Sequence, residues 1–219
     1  MPSKAKQRRA EIDLHYAIRN RRREEVSRLL GTGVDPNCFD DKSRNFTLAF
    51  TALCTAISVA GEPISALAIE LEDARKILNP NYDRGAERAT SVEILRLLLA
   101  AGADANRPTL SRTPLSLAVH MGDLEVARML LDAGAKSSGE GWSPFSKLPR
   151  PKDGLAFYGN AIHQAAEKEF TDIVRLLCSR GADTSATNHE GKTALQIAKE
   201  RGHTEIVQLL EEHERASVQ

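Results

Sequence analysis

The chain has 219 residues, 41% hydrophobic and 27% charged, with 30 basic and 30 acidic side chains and therefore no formal net charge. That composition is globular, sets up no global field toward nucleic acid or an anionic membrane, and holds no apolar run near the roughly 18 residues a membrane span requires. Three cysteines at wide, unrelated spacings (Cys38, Cys54, Cys178), with no CxxC pair or Cys/His cluster, predict reduced thiols in an intracellular protein, cytoplasmic or nuclear, and no metal.

Residues 1–11 form a basic N-terminal segment with no apolar stretch behind it, so it does not read as a secretory leader. Lys4, Lys6, Arg8 and Arg9 are expected to be a frayed, solvated start, with a nuclear signal as the alternative. From Ile12 onward one phrase recurs. It reads IDLHYAI at Ile12, TALCTAI at Thr51, TPLSLAV at Thr113, NAIHQAA at Asn160 and TALQIAK at Thr193. Each is followed by an apolar Ile/Val and Leu-Leu segment, and the first four copies then close on a glycine. The interval from opening residue to closing glycine is 21 from Ile12 to Gly33, from Thr113 to Gly134 and from Asn160 to Gly181, and 51 from Thr51 to Gly102. The fifth copy ends on Glu211, Glu212, His213 and Glu214 instead, the polar outer face that a terminal repeat needs.

Local chemistry predicts a helix pair in each copy. Thr51, Thr113 and Thr193 are placed as N-caps and Pro114 sits in a first helical turn. Val126, Met129 and Leu130, and Ile173, Leu176 and Leu177, recur at i, i+3, i+4. Gly102, Gly134 and Gly181 fall where a helix stops and φ turns positive. Neither helix of a pair buries its apolar face alone, so stacking is required.

Thr113-Pro114-Leu115, Gly134-Ala135, Gly102-Ala103-Asp104 and Gly181-Ala182-Asp183 resemble the ankyrin repeat, and the resemblance covers about residues 12–214 apart from inserts. It implies an all-α solenoid of five repeats in a single domain, about 12–37, 51–106, 113–137, 160–188 and 193–214, with a tail at 215–219. The family's glycine between the paired helices is present as Gly122 and Gly202 but is replaced by Arg21 and Glu169, where locally strained or differently shaped corners are expected. His15 and His163 stand where the family has a histidine that hydrogen-bonds within its opening turn, and they read as structural.

Two finger loops between repeats are enlarged, and in the family such fingers lie beside a concave partner-binding groove. Seven of the ten aromatic residues lie in them: Phe39, Phe46, Phe50, Trp142, Phe145, Phe157 and Tyr158. They form either satellite cores under the loops or a binding patch. A third insert, about 62–90, falls inside the second repeat, and its spacing predicts an amphipathic helix from near Pro63 to before Asn79-Pro80.

No phosphate loop, metal-spaced histidine set or nucleophile elbow is present, no cofactor is expected, and the chain leans away from enzyme chemistry. Seven residues after each opening residue stand Arg19, Ser58, His120, Glu167 and Glu200, a register expected to face the groove. His120 and Glu167 would then be neighbours and could act as an acid–base pair. The sequence therefore supports a non-catalytic module that binds a protein partner, and neither nucleic acid nor membrane, through Arg19, Phe39, Phe46, Ser58, His120, Trp142, Phe145, Phe157, Tyr158 and Glu167. The alternative is a small-molecule pocket, or an unusual enzyme, built from the aromatic fingers with His120 and Glu167.

Overall fold

The computed structural model describes residues 4–39, 51–61, 83–107, 109, 112–137, 161–188 and 190–217. Among the described residues there are ten helices, and the only strand-like pairing is an isolated bridge between Phe39 and Thr51. The chain divides into two compact units, Met1–Asp104 and Ala105–Gln219.

The first unit holds two helix pairs, α1 (Lys4–Arg19) with α2 (Arg23–Gly31), and α3 (Ala52–Ala60) with α4 (Arg84–Ala100). First helix packs on first helix and second on second, α1 against α3 and α2 against α4. Thr51 caps α3 as predicted, accepting from Cys54 N at 3.2 Å. The basic N-terminal segment is helical from Lys4, continuous with α1, rather than a frayed start, while its Lys4–Arg9 side chains are exposed. The predicted helix from Pro63 to Asn79 lies outside the described residues, but the last part of the assigned insert belongs to α4. Asp83 caps that helix by accepting from Gly85 N at 2.8 Å, and Thr90 and Ser91 return their hydroxyls to the carbonyls of Ala86 and Glu87.

The corner at Arg21 explains how α4 is held. Arg21 takes φ 53, a conformation costly for a residue with a Cβ. Its guanidinium donates to Ser91 Oγ at 3.2 Å and to the Val59 carbonyl at 3.3 Å, and meets the Glu87 carboxylate at 3.5 Å. The strain of the missing glycine is thereby offset by three contacts that join the first repeat to the second.

The second unit holds three pairs: α5 (Pro114–His120) with α6 (Leu124–Asp132), α7 (Ala161–Glu167) with α8 (Thr171–Ser179), and α9 (Ala194–Arg201) with α10 (Thr204–Ser217). Thr113 and Thr193 cap α5 and α9, the latter in a full capping box with Gln196, and Pro114 is the first residue of α5. The core is Leu115, Ala118, Val126, Leu130, Ile162, Ala165, Ile173, Leu177, Ala198, Ile206 and Leu210. Glu169, like Arg21, takes a positive φ of 61 where the other corners carry glycine.

Two asparagines staple consecutive loops and were not legible as such in the sequence. Asn37 Nδ2 donates to the Gly102 carbonyl at 3.2 Å while its Oδ1 accepts from Asp104 N at 2.7 Å. Asn106 repeats the arrangement on the Gly134 carbonyl at 2.9 Å and Lys136 N at 2.8 Å. One amide thus satisfies a carbonyl and an N–H that the turn leaves without helical partners. Asn106→Ala should cost about 1–2 kcal/mol, two modest net hydrogen bonds. Urea unfolding checks it, with Ser185→Ala, whose hydroxyl bonds only Asp183 in its own loop, expected to change little.

Candidate functional site

Two of the first helices, α5 and α7, are short and almost wholly interior, whereas α1 and α9 bury only part of their length. In α5 every residue from Pro114 to Val119 is buried, and in α7 every residue from Ala161 to Ala166. The chain becomes accessible at the last residue of each, His120 and Glu167, both partly exposed. The other positions of the same register behave alike: Arg19 ends α1 exposed, Ser58 is partly exposed on α3, and Glu200 is exposed on α9. Phe39 is 37% exposed where the first finger begins. Phe46, Trp142, Phe145, Phe157 and Tyr158 lie outside the described residues.

The sequence suggested that His120 and Glu167 are neighbours able to act as an acid–base pair, and each makes a contact with the repeat that follows its own. The Glu167 carboxylate accepts from Arg201 at 2.6 Å, and its backbone carbonyl meets His203 Nε2 at 3.3 Å. Lys168 Nζ donates to the His120 carbonyl at 2.8 Å. Burial, then the nearby charges of Arg112 and Lys168, push the His120 imidazole down to about 4. Burial first, then Arg112, also lowers the Lys168 ammonium. A histidine neutral throughout the physiological range, beside cations, is poorly matched to acid–base work near neutrality. Its C2 proton should titrate in NMR with a midpoint near 4. Arg201 and Lys168, each one residue beyond the register that counting along the sequence singles out, are the groups that sequence reasoning missed.

His15 and His163 are structural, as read, but by different contacts. His15 is buried, with Nδ1 3.2 Å from Thr55 Oγ1 on α3 and Nε2 3.2 Å from the Cys38 carbonyl. His163 Nε2 meets the Ala186 carbonyl at 3.0 Å. Each ring therefore reaches the loop that follows its repeat's second helix. Burial holds the His15 imidazole near 4, against an ordinary 6.5. Between those values the unfolded chain binds the extra proton and the folded one does not. The His15 contribution to stability is therefore complete above about pH 6.5 and is lost progressively as pH falls toward 4. Urea midpoints measured from pH 7 to 4 should fall, and His15→Gln should flatten the slope.

Burial raises the Cys54 and Cys178 thiols to about 11, which makes them unreactive. Among the described residues no group of three or more His, Cys, Asp or Glu is placed to hold a metal ion, and no helix is long and apolar enough to cross a membrane.

Stacked helix–turn–helix repeats closed by loops define a helical-repeat protein. The chain belongs to the ankyrin-repeat family. Two family models match it, described as ankyrin repeats (3 copies) over residues 149–219 and ankyrin repeats (many copies) over 83–131. It is 32% identical over 138 residues to cyclin-dependent kinase 4 inhibitor B of Rattus norvegicus, covering 61% of this chain and 95% of that protein. It is 29% identical over 192 residues to the ankyrin repeat protein YahD of Escherichia coli, covering 85% and 88%. With the E3 ubiquitin-protein ligase XBAT33 of Arabidopsis thaliana it shares 38% over 89 residues, covering 41% of this chain and 15% of the ligase. The chain spans between 15% and 25% of the length of its ubiquitin-ligase relatives. In this family the repeats serve as protein-interaction modules.

Proposed function

We propose that this protein is a non-catalytic interaction module, working inside the cell, that holds a protein partner against the ends of its interior helices and the adjoining finger loops. The observation that carries the reading is the sharp change along α5 and α7, buried residue by residue until His120 and Glu167. A helix spent entirely on packing, with a polar side chain at its accessible end, offers recognition chemistry on a rigid support. The Glu167–Arg201 ion pair and the Lys168 ammonium supply charges of both signs, which favour specificity over indiscriminate adhesion. A relative named for inhibiting a kinase is a precedent for such repeats acting on another protein. The aromatic residues of the fingers, Phe39 with Phe46, Trp142, Phe145, Phe157 and Tyr158, supply the apolar anchors in this reading.

The test is affinity capture from the native lysate with quantitative mass spectrometry. Wild-type protein should retain a defined set of proteins, and Glu167→Arg should release them without changing the melting temperature. Wild type and variant retaining the same proteins would remove the surface from the proposal. A metabolite that shifts the fluorescence of Trp142, with no protein retained, would establish the small-molecule alternative instead.

A further inference from the structure

The residue four positions after each opening residue is interior in four of the five repeats: Thr55 is 5% exposed, Leu117 8%, Gln164 2% and Ile197 9%. Two of them show what covers that position. Thr55 Oγ1 is 3.2 Å from His15 Nδ1, and Gln164 Nε2 donates to Ser116 Oγ at 3.1 Å. In both cases the partner is the residue three after the opening of the preceding repeat. In the second and fourth repeats the side chain at this position is therefore the one pressed against the preceding repeat. In the first repeat it is Tyr16, and Tyr16 is 49% exposed.

The surroundings of Tyr16 are basic. The Arg22 guanidinium lies over its ring, 5.2 Å from the centroid, and Arg19, Arg22 and Arg23 are accessible. Residues 4–28 carry nine Lys and Arg against four Asp and Glu, in a chain that is neutral as a whole. Two of those acids are paired within the patch, Asp13 with Arg9 at 3.3 Å and Glu25 with Arg28 at 2.7 Å. Tyrosine and arginine side by side on an accessible helical face are the residue types that dominate binding energy at protein interfaces.

We propose that this end of the first repeat, Tyr16 with Arg22 and Arg23, docks an acidic amphipathic helix of a protein partner, laid against α1 as the preceding repeat lies against the second and the fourth. It rests on the interaction-module reading only for the class of partner, since the surface is a different one. Helix stacking is what this position accepts elsewhere in the chain, and the positive excess selects acidic helices among those available. A polyanion fits less well, because Glu11, Asp13, Glu24 and Glu25 are interspersed with the cations and Arg22 already occupies one face of the Tyr16 ring.

The test uses the full chain with 13C-labelled tyrosine and a synthetic helical peptide, leucine along one face and glutamate on the other. The Tyr16 ring signal should shift saturably with a Kd on the order of 100 μM. Added salt should weaken the binding. Arg22→Glu should raise Kd about tenfold at the Tyr16 ring, and Tyr16→Ala should do the same when binding is followed by the fluorescence anisotropy of a dye-labelled copy of the peptide. Both positions are accessible, and an unchanged melting temperature confirms that the fold survives. Glu167→Arg should leave the peptide response intact, so failure here and failure of the capture experiment are separable. The proposal is overturned by an equal response to the same peptide with lysine in place of glutamate. Tighter binding of oligothymidylate would also overturn it, as would shifts that follow protein concentration alone through self-association. So would the absence of any Tyr16 shift at about 1 mM acidic peptide.

Discussion

Leu130→Ala should destabilise the Ala105–Gln219 unit by about 2–5 kcal/mol, measured as a fall in urea midpoint. Leu130 lies on α6 with no exposed surface, among side chains from its own pair and the next. Truncation removes buried methyl groups and leaves a space that two short helices, held at both ends, do not close. The repeat architecture sharpens the prediction. A linear array shares each core layer between neighbours, so loss in one layer weakens two interfaces and has no distant contacts to compensate it. Met129, on the same helix but partly exposed, is the internal comparison. Met129→Ala should cost clearly less than Leu130→Ala, and equal losses would mean that the buried stripe on α6 is misassigned.

Gly122→Ala should cost about 2–4 kcal/mol, a sum of a left-handed backbone penalty and an overpacked contact. Gly122 has φ 71, which any Cβ makes costly. A Cβ placed there would also stand 2.8 Å from Cζ of Phe170 and 3.2 Å from both Cε atoms. The ring lies across the corner between α5 and α6, so relief requires Phe170 to leave its place at the start of α8. Gly202, with φ 76 and nothing within 4 Å of the point a Cβ would occupy, isolates the two contributions. Gly202→Ala carries the backbone penalty alone and should cost about 1–2 kcal/mol. If the two substitutions cost the same, the Phe170 contact contributes nothing.

The contrast between these two glycines shows where sequence reasoning stops. Both were legible as the corner glycine of a repeat, because the backbone requirement is local and repeats with a fixed period. The replacement of that glycine by Arg21 and Glu169 was equally legible as a strained or differently shaped corner, and both keep the positive φ of the glycines, so the corner is strained rather than reshaped. The Phe170 ring over Gly122 was not legible, since it joins residues 48 positions apart and depends on how one pair leans on the next. The same division holds for Arg21. Its strain could be foreseen from the period, whereas its contacts to Ser91, Val59 and Glu87 depend on where α4 begins.

The candidate site divides in the same way. The register that singled out Arg19, Ser58, His120, Glu167 and Glu200 follows from counting, and each is accessible at or near the end of its repeat's first helix. The partners of those side chains do not follow from counting. Arg201 takes the Glu167 carboxylate and Lys168 takes the His120 carbonyl, because neighbouring repeats set rows of side chains next to one another at separations that no single-repeat pattern encodes. Nothing in the repeat pattern set Tyr16 apart in the sequence. Its exposure, against the burial of Thr55, Gln164 and Ile197 at the same register, appears only when each repeat is set against its predecessor. The sequence by itself determined the repeat, its helices, its caps and its corners, all consequences of near-neighbour chemistry at a fixed period. Tertiary structure alone decided which side chains meet across repeats and what charge surrounds them, because stacking brings together residues that the chain keeps far apart.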